Sequence, residues 1–147
     1  MATKRSVTAV WKGTGLEGEG TLSSSNKFFD NTPYSFKTRF HNEDGHLGTN
    51  PEELIAAAHA GCFAMALSFA IVEAGFAADE LNVNAVVTLD AVDGGFGITG
   101  IVLQLKGKVT GMSEDKFIEL ANAAKAGCPI SKALSAVPIT LETTFIA

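Results

Sequence analysis

The chain has 147 residues, 46% of them hydrophobic, with ten Phe against one Trp and one Tyr and a formal net charge of −5. That length and composition fit a single globular domain over residues 1–147 with a substantial core, and they exclude a disordered chain. An acidic balance without a Lys/Arg cluster argues against nucleic acid as a partner.

The opening "MATKRSVTAVWKG" carries basic residues but no apolar run, so no signal peptide is expected. Two cysteines are too few for a secreted disulfide framework, and the expected compartment is the cytoplasm. Val7, Ala9 and Trp11 alternate with polar residues and predict a strand ending at Gly13. "GTGLEGEGT" lacks the strand–GxGxxG–helix order and reads as a turn, not a phosphate loop. "EGTLSSS" predicts a second strand. "PYSFKTRF" predicts a third, with Tyr34, Phe36, Thr38 and Phe40 on one face and Ser35, Lys37 and Arg39 on the other. The polar loop "HNEDGHLGTN" follows and holds His41 and His46, both expected in solvent.

A helix starts at "TNPEELI". Asn50 is the expected cap, Pro51 fits the first helical position, and Glu52 and Glu53 sit where the helix dipole favours anions. The helix runs to Gly75. From Leu54 to Val72 it carries no formal charge, which is close to membrane-spanning length. Its Ala-rich make-up, with His59, Gly61 and Ser68, and its acidic flanks argue instead for an enclosed central helix. A chain this short has difficulty burying every face of such a helix, and a partner subunit would help. "LNVNAVVTLDAV" and "FGITGIVLQLKGKVT" are two strands joined by the hairpin signal "DGG". "SEDKFIELANAAKAG" is an amphipathic helix capped by Ser113, with Glu114 and Asp115 in its first turn. Cys128-Pro129 breaks it, "PISKALS" is a further short helix, and "PITLETTFI" closes the chain as a strand. The order βββ–α–ββ–α–α–β predicts an α+β fold with largely antiparallel sheet.

Chemistry centres on Cys62 and Cys128. By residue type alone, Cys62 also fits a small core residue. Cys128 lies before Pro129 at a predicted helix N-cap, where the dipole stabilises a thiolate. A peroxide-reducing thiol needs a nearby cation and a second thiol to trap the sulfenic acid. Arg39 is the candidate cation, and Glu52 or Glu53 the carboxylate that would hold its guanidinium by bidentate pairing. Arg39 equally fits a solvated strand residue, and the two Glu an ordinary helix first turn. Ten residues separate Glu52 from Cys62, about 15 Å along a straight helix, so either that helix bends or Arg39 spans the gap. His59 shares a face with Cys62 as a possible base or core histidine, and with Cys128 would make a Cys/Cys/His zinc set. No CxxC pair supports that set, and no metal is expected.

"GTNPEELIAAAHAGCFAMAL" followed by "KAGCPIS" resembles the OsmC family of osmotically inducible, thiol-dependent organic hydroperoxide reductases. The resemblance extends through "VWKGTGLEGEGTLSS", "PYSFKTRF" and "LDAVDGGFGITGIVLQ" to the closing strand, so it spans essentially the whole chain. The sister Ohr group typically has "NPEQLFAAGY" and "CPYS" at these places, and its arginine in the earlier glycine-rich loop, where this chain has none. The resemblance implies that Cys62 is the peroxidatic cysteine, Cys128 the resolving one, Arg39 the active-site arginine and Glu52 its carboxylate partner. It implies an intertwined homodimer, with long central helices enclosed by sheets from both subunits. It also implies an organic hydroperoxide substrate, an external dithiol reductant and no cofactor, with neither nucleic acid nor a membrane as partner. Phe63 and Phe96 are candidates for an apolar mouth that favours organic peroxides. The alternative is a non-catalytic, hydrophobic-ligand-binding or stress-related dimer of the same fold.

Overall fold

The computed structural model describes residues 2–41 and 48–147. The fold is α+β, in the order β1 (Thr8–Lys12), β2 (Glu19–Ser23), β3 (Thr32–Tyr34), α1 (Phe36–Phe40), α2 (Pro51–Glu73), β4 (Glu80–Val92), β5 (Gly95–Lys108), α3 (Glu114–Gly127), α4 (Pro129–Ala133) and β6 (Ile139–Ile146). It divides into two compact units, Met1–Leu54 and Ile55–Ala147.

In the first unit β1, β2 and β3 form an antiparallel sheet in that order. Trp11 and Tyr34 meet across it with ring centroids 5.5 Å apart. Gly20 passes beneath both rings, and a Cβ there would collide with them. The strand expected over "PYSFKTRF" is overturned beyond Tyr34, because Phe36–Phe40 is a helix. Ser35 and Thr38 cause the change by forming a capping box. The Ser35 hydroxyl accepts from the Thr38 amide at 3.1 Å, and the Thr38 hydroxyl accepts from the Ser35 amide at 2.8 Å. Phe36 and Phe40 alternate like strand residues, but they are also four apart, and on the helix their rings stack at 4.7 Å. His41 ends this helix and is exposed, whereas His46 lies outside the described residues.

In the second unit the strand order is β4-β5-β6. β4 and β5 form the expected antiparallel hairpin, turning at Asp93-Gly94, where Gly94 supplies the positive φ of 87° that the turn demands. β6 joins β5 in parallel, the one departure from antiparallel pairing among the named strands. Ile101, Leu103 and Leu105 alternate along β5 onto one face of the sheet and are buried. They belong to one core with Phe63, Leu67 and Ile71 of α2 and Phe117, Ala121 and Ala124 of α3. Each large side chain fully buried there contributes about 1.5–3 kcal/mol. Phe117 packs on Phe145 at 5.0 Å, in space left open by Gly107, where a Cβ would strike the Phe117 ring.

α2 is apolar all round, and its two faces differ. His59, Phe63, Leu67 and Ile71, four residues apart, form a buried stripe. Gly61, Met65, Phe69 and Val72 form the opposite stripe and are exposed, the last three by 63–66%. The enclosure expected for this helix is therefore met on one side only by the chain itself. By length and composition α2 is long and apolar enough to cross a membrane, and its inner stripe is packed in the core.

Candidate active site

Two elements distant in sequence bring the cysteines together. Cys62 sits mid-way along α2 and is half-buried. Cys128 closes α3, donating its N–H to the Ala124 carbonyl at 2.9 Å, and opens α4, with Pro129 as the first helical residue. Cys128 is fully buried among the core residues. The two sulfurs lie 2.8 Å apart as free thiols, with the Cys128 thiol directed at Cys62. That contact places them where a disulfide forms with little movement.

The thiols titrate as a pair. Burial pushes the Cys62 thiol up, and the hydrogen bond shared with Cys128 adds to the rise, against a smaller opposing pull from the Ile130 amide. Burial also opposes the Cys128 thiolate, but hydrogen bonding to Cys62 and to the amide and hydroxyl of Ser131 outweighs it, and its net shift is downward. Cys128 makes no fully formed cap bond to α4, so these amides act on it as nearby dipoles. Within this unit the Ile130 amide's pull on Cys62 is outweighed, so a peroxidatic role there calls for a cation.

The guanidinium expected for that role is held as the sequence suggested. Arg39, on α1, pairs with Glu52 in the first turn of α2 through Nη2–Oε1 at 2.6 Å and Nε–Oε2 at 3.2 Å. This two-point contact fixes the plane as well as the position of the guanidinium. The choice between Glu52 and Glu53 is thereby decided, because Glu53 is engaged elsewhere. Its carboxylate accepts from the Thr49 hydroxyl at 2.7 Å, and its amide donates to the Asn50 side chain at 2.9 Å, the expected cap. Arg39 also lies 5.4 Å above the Phe40 ring and borders a pocket of about 150 Å³ lined by Trp11, Tyr34, Phe36 and Pro51. α2 is helical without interruption from Pro51 to Glu73.

Two other expectations change. Phe63 is wholly inside the core and lines no mouth, and Phe96 stands exposed at the β4–β5 turn. Neither lines the aromatic pocket beside Arg39. His59 is a buried residue whose Nε2 lies 2.8 Å from the Ser131 hydroxyl, and burial pushes its pKa down. Among the described residues no three His, Cys, Asp or Glu side chains converge as a metal set. Ser131 is the residue that sequence reasoning missed. Its only signal is position, three residues past Cys128 and so on the same side of the α4 first turn.

The family model described as OsmC-like protein matches residues 42–142. The chain belongs to the OsmC family. The peroxiredoxin OsmC of Escherichia coli K12 is 47% identical over 134 residues, 91% of each chain. The crystal structure of the organic hydroperoxide resistance protein OhrB of Bacillus subtilis superposes with a TM-score of 0.71 at 29% identity, over 95% of this chain and 98% of that one. An OsmC-like protein from Mycoplasma pneumoniae shares the fold, with a TM-score of 0.77 and full coverage of both chains at 19% identity. The OsmC fold expected from "NPEELIAAAHAGC" and "KAGCPIS" is thus met over the whole chain.

Proposed function

We propose that this OsmC-family protein is a thiol-dependent peroxidase that reduces organic hydroperoxides to alcohols. The observation that carries the reading is the contact of two free thiols, Cys62 and Cys128, 66 residues apart in sequence and 2.8 Å apart in space. The names of the relatives, peroxiredoxin and organic hydroperoxide resistance protein, support the same reaction class. Arg39, held by Glu52, stabilises the Cys62 thiolate. The thiolate attacks the terminal peroxide oxygen, the O–O bond breaks, and the alkoxide leaves as an alcohol after taking a proton. Cys62 becomes a sulfenic acid, and Cys128 condenses with it to give a disulfide and water. An external dithiol restores both thiols by exchange, with no cofactor. The aromatic pocket beside Arg39 suits the organic part of the peroxide.

The working unit in this reading is an intertwined cytoplasmic homodimer of one domain per chain. The exposed stripe of Gly61, Met65, Phe69 and Val72 supports it, because a partner helix covering that stripe completes the enclosure α2 lacks.

The test is the free-thiol count per chain before and after one equivalent of tert-butyl hydroperoxide. A fall from two to none, reversed by dithiothreitol, is the expected result. A count that stays at two makes Cys62 a packing residue and leaves a non-catalytic ligand-binding dimer in its place.

Arg39→Gln tests the cation. With Cys62 already raised by burial, losing the guanidinium raises it further and slows peroxide consumption about 10- to 1,000-fold at pH 7. The defect shrinks as pH rises and the thiolate returns, and Arg39→Lys falls between the two. A pH–rate profile for Arg39→Gln that overlays the parent profile removes Arg39 from the mechanism.

A further inference from the structure

His59 and Ser131 are unused by the mechanism above, yet they adjoin its resolving thiol. His59 has no exposed surface, its Nε2 is 2.8 Å from Ser131 Oγ, and its Nδ1 is buried without a partner. Burial pushes its pKa down, so the ring is neutral and carries one proton. On Nδ1 that proton would be a buried donor with no acceptor, among the rarest and costliest defects in folded proteins. On Nε2 it is donated to Ser131 Oγ, and only a lone pair at Nδ1 goes unused. The ring is therefore assigned the Nε2–H tautomer on hydrogen-bonding grounds.

Ser131 Oγ then accepts from His59, and its own proton is directed to another acceptor. Cys128, the N-cap of α4, stands three residues before Ser131 on the same side of the first turn, and the Ser131 hydroxyl and amide both favour its thiolate. His59 Nε2 meets Ser131 Oγ at 2.8 Å on one side of Cys128, and Cys62 Sγ meets Cys128 Sγ at 2.8 Å on the other.

We infer that His59 and Ser131 are positioning residues for the resolving cysteine, with His59 fixing the Ser131 hydroxyl so that it donates to Cys128 Sγ and readies that sulfur to attack the Cys62 sulfenic acid. The inference rests on the peroxidase reading. In the step concerned, the S–S bond forms as the Cys62 S–O bond breaks. The Cys128 sulfur is oxidised as the sulfenic sulfur is reduced, and the hydroxide leaves as water with the proton that Cys128 gave up. No outside oxidant or reductant enters. The Ser131 hydrogen bond favours the thiolate form of Cys128 at the moment of attack, at a sulfur that is itself fully buried.

The experiment separates peroxide attack from disulfide closure in the full chain. After rapid mixing with tert-butyl hydroperoxide, attack is read as peroxide consumed, and closure as disulfide in acid-quenched samples by mass spectrometry. In Ser131→Ala, closure slows about tenfold, the worth of one hydrogen bond to a charged group, and attack slows far less. Sulfinic acid on Cys62 rises in proportion as the sulfenic acid waits. Ser131→Thr, which keeps the hydroxyl, restores closure. His59→Gln keeps an N–H donor and restores most of it, whereas His59→Leu behaves as Ser131→Ala does.

Equal closure rates in Ser131→Ala and Ser131→Thr, or equal losses in both steps, overturn the inference and make the pair core packing. If the unsubstituted protein consumes peroxide and closes its disulfide while every variant matches it, this inference alone fails. If the unsubstituted protein consumes no peroxide, the peroxidase reading fails first and takes the inference with it.

Discussion

Cys62→Ser is expected to bring peroxide turnover down to the uncatalysed level while leaving the fold intact. The hydroxyl matches the thiol in shape, and Cys62 is only half-buried, on an uninterrupted helix whose core stripe is formed by its neighbours. Packing and helix geometry are therefore retained. The chemistry is not, because a serine hydroxyl ionises far above the thiol range and its oxygen is a poor nucleophile toward peroxide. The measurement is tert-butyl hydroperoxide consumption with dithiothreitol as reductant, alongside circular dichroism of the same sample. Residual turnover above about 1% of the parent rate in a folded variant excludes Cys62 as nucleophile, since an alkoxide or thiol-independent route has no basis in this site.

Cys128→Ser is expected to uncouple attack from recycling. The first equivalent of peroxide is still consumed, because Cys62 and the Arg39–Glu52 pair are untouched. The sulfenic acid then has no thiol beside it. With excess peroxide and no small thiol present, a second peroxide oxidises it to sulfinic acid, and the protein then falls silent. The contrast with Cys62→Ser is the diagnostic feature, with two alcohols per chain, one from each oxidation, in one variant and none in the other. Cys128 is fully buried, so the new hydroxyl must find a partner, and Ser131 stands ready as one. Cys128→Ala, which needs no partner, serves as the second variant. If either Cys128 variant sustains turnover at the parent rate without a small thiol, the two-cysteine cycle is wrong.

The Cys128 prediction also bears on how the two sulfurs divide their labour. Within the unit that holds them, local dipoles favour the thiolate on Cys128 and burial disfavours it on Cys62. A resolving cysteine with a readily formed thiolate shortens the life of the sulfenic acid. A peroxidatic cysteine that depends on an external cation is active only when that cation is in place. This division makes the Arg39 and Cys128 variants informative about different steps.

Much of this was legible in the chain. The cap at Asn50, the acidic first turn of α2, the DGG hairpin and the Ser113 cap are local signals. Local hydrogen bonding fixes them, and the structure contains each one. The motif pair around Cys62 and Cys128 was sufficient to suggest the family. "SFKTRF" was misjudged because over five residues an alternating pattern and a four-residue spacing coincide at Phe36 and Phe40. The deciding term was the Ser35–Thr38 box. Phe63 was misjudged as a mouth residue because the apolar sequence of α2 has no polar face to show which side turns inward.

The sequence by itself determined the parts: two thiols, a candidate arginine, Arg39, with two possible carboxylate partners, an all-apolar helix and an α+β order of elements. Only the tertiary structure decided that the thiols touch, that Glu52 takes the arginine while Glu53 is tied to Thr49, and that His59 meets a serine 72 residues away. The physical reason is range. Caps, turns and periodicities are set by neighbours within a few residues, whereas a pairing between distant residues follows from how whole elements pack around a shared core.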